Sequence, residues 1–209
     1  MISFIVPTTD NAQLDRLRTS LNQLGQPFEL IPVYNSLSFF DCWRKGVKKA
    51  KGDYLIFTHQ DTEYYYLPDL DKEFTKKVGM CGVAGTKLID RSEPWWYDKK
   101  RLHSGLLSGQ IYHNAIRSKG LSTFGPYGDE LKVLDGVCLV TQKDILLKVG
   151  IPDLDWCAWD YYDHVICMEY IKRGYKLKTI PIIMVHKSDG VTREREFYKA
   201  EDRFKKEYL

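Results

Sequence analysis

One ten-residue run, Gly52-Asp53-Tyr54-Leu55-Ile56-Phe57-Thr58-His59-Gln60-Asp61, narrows what this chain can fold into. Tyr54 to Phe57 is continuously apolar and does not alternate, the pattern of a strand buried on both faces. Such strands lie in sheets covered by helices on each side. The chain leaves this one directly into His59-Gln60-Asp61-Thr62-Glu63. In open α/β sheets ligands bind in the crevice beyond the carboxyl ends of the strands. Asp61 therefore stands where a carboxylate holds a divalent metal against a phosphorylated substrate.

The flanking segments extend that architecture. Residues 2–6 read as a first buried strand, ended by Pro7-Thr8-Thr9-Asp10. Leu14, Leu17, Leu21 and Leu24 are spaced for one face of a helix over 11–24, with Gly25 as its C-cap. A second strand covers 28–33 with the exit loop Tyr34-Asn35-Ser36, and a second helix follows over 39–50. A third helix is predicted over 67–78, with Pro68 in its first turn, and a fourth strand over 81–88. Strand alternating with helix predicts an α/β fold with a mainly parallel, doubly wound sheet flanked by helices.

The rest reads differently. Residues 91–127 lack helical period and are rich in Gly, Ser, aromatic and basic side chains, so hairpins and loops are expected. A strand over 133–140 leads into a helix over 143–149. A helix over 163–173 stops at Gly174, and a strand over 177–185 is interrupted by Pro181. From 192 onward, Phe197, Phe204 and Tyr208 within a charged segment predict an amphipathic helix. The expected organisation is one domain over 1–209. It has a first half (1–90), a loop-rich half (91–190) and a charged C-terminal helix (191–209).

Composition excludes several classes. With 44% hydrophobic and 28% charged residues in 209, the chain can bury a real core and extended disorder is not expected. A net charge of +3 from 31 basic and 28 acidic residues is too even to argue for nucleic acid. Cys42, Cys81, Cys138, Cys157 and Cys167 are odd in number and scattered, and read as reduced core thiols. No apolar run reaches the ~18–20 residues that span a bilayer, and the first residues carry no basic leader. A soluble, cytoplasmic protein is expected, meeting any membrane only peripherally.

Four segments, in this order, resemble the GT-A glycosyltransferases, especially the family-2-like group, over roughly residues 2 to 190. Ile2-Ser-Phe-Ile-Val-Pro-Thr8 resembles the opening strand of that fold. Ala50-Lys-Gly-Asp-Tyr-Leu-Ile-Phe-Thr-His-Gln-Asp61 resembles the strand that ends in the family's D-x-D motif, with His59 in place of the first Asp. Leu134-Asp-Gly-Val-Cys-Leu-Val-Thr resembles its acceptor-side strand. Trp159-Asp-Tyr-Tyr-Asp163 with Val185-His186-Lys-Ser-Asp-Gly resembles the late catalytic helix and metal-side loop. Where many members have Glu-Asp-x-Asp, this chain has Tyr162-Asp163-His164-Val165.

The resemblance implies transfer of a sugar from a nucleotide-sugar donor, a UDP-sugar, to a saccharide acceptor. A departing diphosphate needs positive charge, which Mn²⁺ or Mg²⁺ supplies. Asp61 is the first expected ligand and His186 the second, imidazole suiting Mn²⁺ better than Mg²⁺. His59 is expected to orient Asp61 or to meet the diphosphate. Pro7, Thr8, Thr9, Tyr34 and Asn35 are placed to hold base and ribose, against a competing reading as ordinary turn residues. Lys87 is expected on the donor side, ahead of Arg44 and Lys48. Asp163 matches the family's base position, with a helix N-terminal Asp as the alternative, and Asp135 and Asp160 are the other catalytic carboxylates. Trp95, Trp96, Tyr97, Trp156 and Trp159 could form an acceptor platform or a packed aromatic core. Arg193 and Arg195 read as a solvated face more readily than as a closing loop. The competing functions are a catalytically decayed glycan- or nucleotide-binding module and a sugar nucleotidyltransferase. The second lacks the Gly-rich first loop that its class carries.

Overall fold

The computed structural model describes residues 1–75, 77–89, 104–115, 119–188 and 194–209. Its first half follows the expected order: β1 (Ile2–Thr8), α1 (Asn11–Asn22), β2 (Phe28–Tyr34), α2 (Phe39–Val47) and β3 (Tyr54–Thr58). Then come β4 (Thr62–Tyr66), the one-turn α3 (Leu70–Glu73), β5 (Val78–Gly82) and β6 (Ala84–Thr86). The second half holds β7 (Leu107–Asn114), β8 (Lys119–Gly125), β9 (Asp129–Leu131), β10 (Val133–Leu134) and β11 (Cys138–Gln142). It closes with α4 (Lys143–Val149), α5 (Tyr162–Lys172), β12 (Lys176–Thr179), β13 (Ile183–His186) and α6 (Glu194–Tyr208).

Among the described residues the strands form two sheets. The larger has the order β2-β1-β3-β11-β5-β12-β9. β2, β1 and β3 are parallel, whereas β11 runs antiparallel to both β3 and β5, so the sheet is mixed. The smaller runs β10-β6-β7-β13-β4, with β8 paired to β7. Side chains of β1 and β3 alternate between two cores. Ile5, Leu55 and Phe57 join a cluster with Trp43, Val165, Tyr170 and Phe204. Phe4, Val6 and Ile56 join another with Leu17, Leu21 and Tyr64. This two-sided burial is why the Tyr54–Phe57 run is apolar without alternation.

Local chemistry sets the helices. Asp10 caps α1 by accepting from the amides of Ala12 (2.8 Å) and Gln13 (3.3 Å), and Gly25 takes a left-handed φ of 67° after it. Ser38 caps α2 through the Asp41 amide at 3.0 Å. In that helix Gly46 is required by packing, because a Cβ there would stand 2.3 Å from Ile5 Cγ2. The five cysteines are buried and unpaired. Burial pushes the Cys42 thiol up to about 12, which keeps it in the inert thiol form.

Four expectations change. The strand predicted over 133–140 divides between Leu134 and Cys138, with β10 in the smaller sheet and β11 in the larger. The helix predicted over 67–78 shrinks to the single turn of α3, because Phe74 leaves helical geometry at ψ 74° and Val78 already begins β5. The strand predicted over 81–88 divides at Val83, with β5 in the larger sheet and β6 in the smaller. The strand over 177–185 divides in the same way around Pro181, into β12 and β13. The hairpin expected within 91–127 is present as β7 and β8, antiparallel. No helix among the described residues is long and apolar enough to cross a membrane.

Glu29 staples β2 to the approach of β3. Its carboxylate accepts from Ser3 Oγ (2.6 Å) and from the Lys51 and Gly52 amides. Burial opposes its ionisation, but these donors outweigh burial and hold the carboxyl below its ordinary range. A depressed carboxylate stabilises the fold above its unfolded pKa, and that contribution is lost as pH falls through the folded value. Glu29→Gln is expected to cost roughly 1 kcal/mol at neutral pH. It should also flatten the loss of melting temperature between about pH 5 and pH 3, measured by thermal denaturation across that range.

Candidate active site

β3 ends at Thr58 and β4 begins at Thr62 in the other sheet, so His59, Gln60 and Asp61 form the corner between them. Five hydrogen bonds fix it. Gln60 Oε1 accepts from the Thr9 (2.8 Å) and Asp10 (3.0 Å) amides, and Gln60 Nε2 donates to Thr9 Oγ1 (2.9 Å). The Thr58 hydroxyl donates to the Val137 carbonyl at 2.9 Å, tying the corner to the turn before β11. The Lys187 amide donates to the Asp61 carbonyl at 2.9 Å, which sets the end of β13 beside it.

This corner forms one wall of a cleft of about 470 Å³. Pro7, Thr8 and Thr9 at the β1 exit line it, as do Val33 to Ser36 at the β2 exit, together with Phe39 and Trp159. The sequence-predicted residues Pro7, Thr8, Thr9, Tyr34, Asn35, His59 and Asp61 therefore share one cavity. Asn35 holds a left-handed φ of 53°, a conformation asparagine tolerates. The Tyr34 hydroxyl donates to Asn11 Oδ1 at 2.9 Å, and its ring is exposed.

His186 meets the corner from β13. Its Nε2 lies 3.5 Å from Asp61 Oδ1, and His59 Nδ1 lies 4.0 Å from the same oxygen. The His186–Asp61 approach is a close contact without a hydrogen bond: Asp61 Oδ1 and His186 Nε2 are both buried and have no hydrogen-bond partner. One ligand atom from each of His59, Asp61 and His186 lies within 4.8 Å of the other two. Two donors bound to one small cation at ~2.1 Å and at right angles sit about 3 Å apart. A small closure of the observed spacing would meet that requirement, so the residues fit a divalent cation.

The electrostatics agree with this. Burial works against the charged form of Asp61, but His186 and His59 outweigh it and hold the carboxyl below its usual range. Burial, and then His186, push His59 down to about 4, which leaves it a neutral imidazole near pH 7. His59 Nε2 contacts the Tyr162 hydroxyl at 3.0 Å. A ligating Nδ1 requires the tautomer in which Nε2–H donates to that oxygen. Phe39 stacks on Tyr162 (3.8 Å between centroids) and on His59 (5.3 Å), so the imidazole is held between packed rings.

The remaining predicted residues are distributed more widely. Asp163 is buried, with Oδ2 accepting from the Gly136 amide (3.2 Å) and Oδ1 facing the amide (2.8 Å) and Nδ1 (2.9 Å) of His164. Asp135 is partly buried and accepts from the Val137 amide at 2.9 Å. Burial chiefly, with Asp163 adding to it, raises its carboxyl above the ordinary range. Asp160 lies in a separate groove with Trp156 and Trp159. Lys87 is exposed beyond β6 and is not among the residues lining the cleft. Arg44 pairs with Asp153 at 3.1 Å, a structural use. Lys48 and Arg195 are exposed on α2's C-cap and on α6. Trp95, Trp96, Tyr97 and Arg193 lie outside the described residues.

Sequence reasoning missed Gln60, Phe39, Tyr162 and His113. His113 pairs with His186 in the β7–β13 ladder, with ring centroids 6.0 Å apart. Gln60 had a local signal, since it sits between the two flagged residues. The other three come from distant segments, and only the fold brings them here.

The mixed sheet and its corner define a GT-A fold, and structural comparison agrees. GalNAc-T7, solved with UDP, GalNAc and Mn²⁺, superposes with a TM-score of 0.61 at 10% identity over 92% of this chain and 45% of its own. TarS residues 1–349 from S. aureus, solved with UDP, gives 0.57 at 12% identity over 95% and 62%. A Drosophila β-1,4-galactosyltransferase 7, solved with manganese, UDP-Gal and xylobiose, gives 0.52 at 10% over 93% and 72%. This chain thus spans about half the length of the first of them. A search of curated proteins finds no match. A family model described as "Glycosyltransferase like family" matches residues 3–208, and the chain belongs to that family.

Tyr162 gives the site a direct test. Tyr162→Phe removes only the hydroxyl that orients His59, and Mn²⁺ affinity is expected to fall roughly tenfold, read by calorimetric titration, with the melting temperature nearly unchanged.

Proposed function

We propose that this protein is a metal-dependent glycosyltransferase that moves a sugar from a nucleotide-sugar donor, a UDP-sugar, to a saccharide acceptor in glycan or surface-polysaccharide synthesis. The observation that carries the reading is the buried pair Asp61 Oδ1 and His186 Nε2, which face each other at the cleft without hydrogen-bond partners. Leaving a buried carboxylate oxygen unsatisfied is costly, and a cation resolves that cost. Asp61, His186 and His59 would hold Mn²⁺ or Mg²⁺, two imidazoles favouring Mn²⁺. When bound, the cation supplies the positive charge that a leaving diphosphate requires.

The chain's own groups have separable roles. Tyr34 offers an exposed ring for the base, and Thr8, Thr9 and Asn35 border the ribose. Gln60 keeps the β1 exit and the corner in register. Asp135 is our assignment for the group that takes the acceptor proton, because it is partly exposed and its affinity for protons is raised. Asp163 holds the Gly136 amide and so fixes the turn that carries Asp135. In this reading residues 1–90 bind the nucleotide and residues 91–190 form the acceptor side. A membrane-linked acceptor would be met at the surface.

Calorimetric titration with UDP tests the donor site. Binding is expected with Mn²⁺ and not without it, and Asp61→Ala should lose the metal-dependent part. UDP binding indifferent to both metal and Asp61 would overturn the reading. The base has its own signature. Asp135→Asn should keep UDP binding while transfer falls roughly 100-fold or more. A base works deprotonated, so transfer should fall as pH drops through a value above the ordinary aspartate range of about 3.9, seen in the pH profile of kcat.

A further inference from the structure

A second concavity of about 230 Å³ adjoins the cleft, between the 155–160 loop and the first turns of α6. Its lining includes Asp155, Trp156, Trp159, Asp160, Glu196 and Lys199. Trp159 lines both cavities, so a molecule in the groove lies beside one in the cleft. We propose that this groove is the acceptor subsite and that it takes a neutral or amino-bearing saccharide and rejects an acidic one. The inference rests on the transferase reading and specifies its acceptor.

Three observations carry it. The volume is below the ~300 Å³ at which pockets for drug-sized ligands begin, a size suited to roughly one sugar ring. Trp156 and Trp159 are half-buried at the rim of the larger core cluster, so part of each indole stays uncovered. An indole presents a broad apolar face with one polar edge, which matches the C–H face and hydroxyl rim of a sugar. Two exposed carboxylates of the lining, Asp155 and Glu196, stand with the single ammonium of Lys199. Carboxylates accept from hydroxyl and ammonium groups, whereas an acidic sugar brings a like charge to them.

The walls of the groove are fixed in place. The Phe39 amide donates to the Ala158 carbonyl at 2.9 Å, which anchors the loop to α2. Trp159 packs edge-on against Phe39 at 5.0 Å, and Phe39 stacks on His59. Across the groove, Phe197 and Phe204 pack on Tyr161 at 5.2 and 5.5 Å, which seats α6 on the start of α5. Glu196 and Lys199 are exposed on that seated helix. Their charges therefore read as a facing for the groove in addition to a solvated helix surface.

Saturation-transfer NMR with cellobiose, a glucosamine disaccharide and digalacturonic acid, with UDP and Mn²⁺ present, tests the proposal. The first two are expected to bind and digalacturonic acid is not. Trp156→Ala should weaken the binding roughly tenfold. Glu196→Lys, at an exposed position where folding is not at stake, should admit digalacturonic acid. Equal binding of all three, binding that neither substitution moves, or no saccharide binding at all would overturn it. The UDP calorimetry on Asp61→Ala decides the donor site separately: metal-dependent UDP binding with no saccharide signal here rejects the acceptor subsite and leaves the transferase reading standing.

Discussion

The structure turns on the corner at His59-Gln60-Asp61, where the chain passes from the larger sheet to the smaller one. A strand ending in a long loop would leave Asp61 to find its own position. Here β3 is held by β1 on one side and by antiparallel β11 on the other, and β4 starts four residues after β3 ends. The antiparallel direction of β11 matters most. It pairs Cys138 with Thr58, so the turn that carries Asp135 and Gly136 lies against the carboxyl end of β3. In an all-parallel sheet that turn would lie at the opposite edge. The β4–β13 ladder then sets His186 opposite Thr62, one residue past Asp61. Three segments far apart in sequence thus converge through backbone pairing, before any side chain contributes.

Side-chain electrostatics then decide what that convergence can hold. A carboxylate placed between two imidazoles would be matched by protonating a histidine. His59 resists this, since burial and the neighbouring His186 both disfavour its charged form. Metal binding requires that same neutral state. Behind it, burial and the nearby Asp163 keep the Tyr162 phenol protonated well above its ordinary range, so its contact with His59 persists across physiological pH. Gly136 makes the contact sterically feasible, because a Cβ there would stand 2.1 Å from the Tyr162 hydroxyl. At the position where the family's D-x-D pattern has its first carboxylate, this chain thus has a neutral imidazole fixed by Tyr162 and Phe39.

Much of this was legible in the chain, and the failures share a cause. β1, α1, β2, α2 and β3 follow from local patterns, since each apolar run ends at a cap or turn residue. Asp61 and His186 were legible as the residues that terminate apolar runs, and the fold brings them within 3.5 Å of each other. The divided strands were not legible. Val83 is as apolar as its neighbours, and Ile180-Pro181-Ile182 reads as one interrupted strand. The two crossings lie side by side, with the Ile180 amide donating to the Gly82 carbonyl at 2.9 Å. Each bend is thus stabilised by a partner about a hundred residues away, which local periodicity cannot register. The same limit explains Asp163. Its match to the family's base position singled it out, and its bonds to Gly136 and His164 are contacts that local pattern could not foresee.

Those bonds bear on how reactivity divides among the carboxylates. Three acidic side chains near one corner cannot all share one environment, because each raises the cost of ionising the next. The fold separates them. Asp61 sits among imidazoles and is held ionised, and Asp163 is satisfied by amide and imidazole donors. Burial chiefly, with the nearby Asp163 adding to it, raises the affinity of Asp135 for protons. Groups whose environments push their proton affinities apart are the ones that can take different chemical roles.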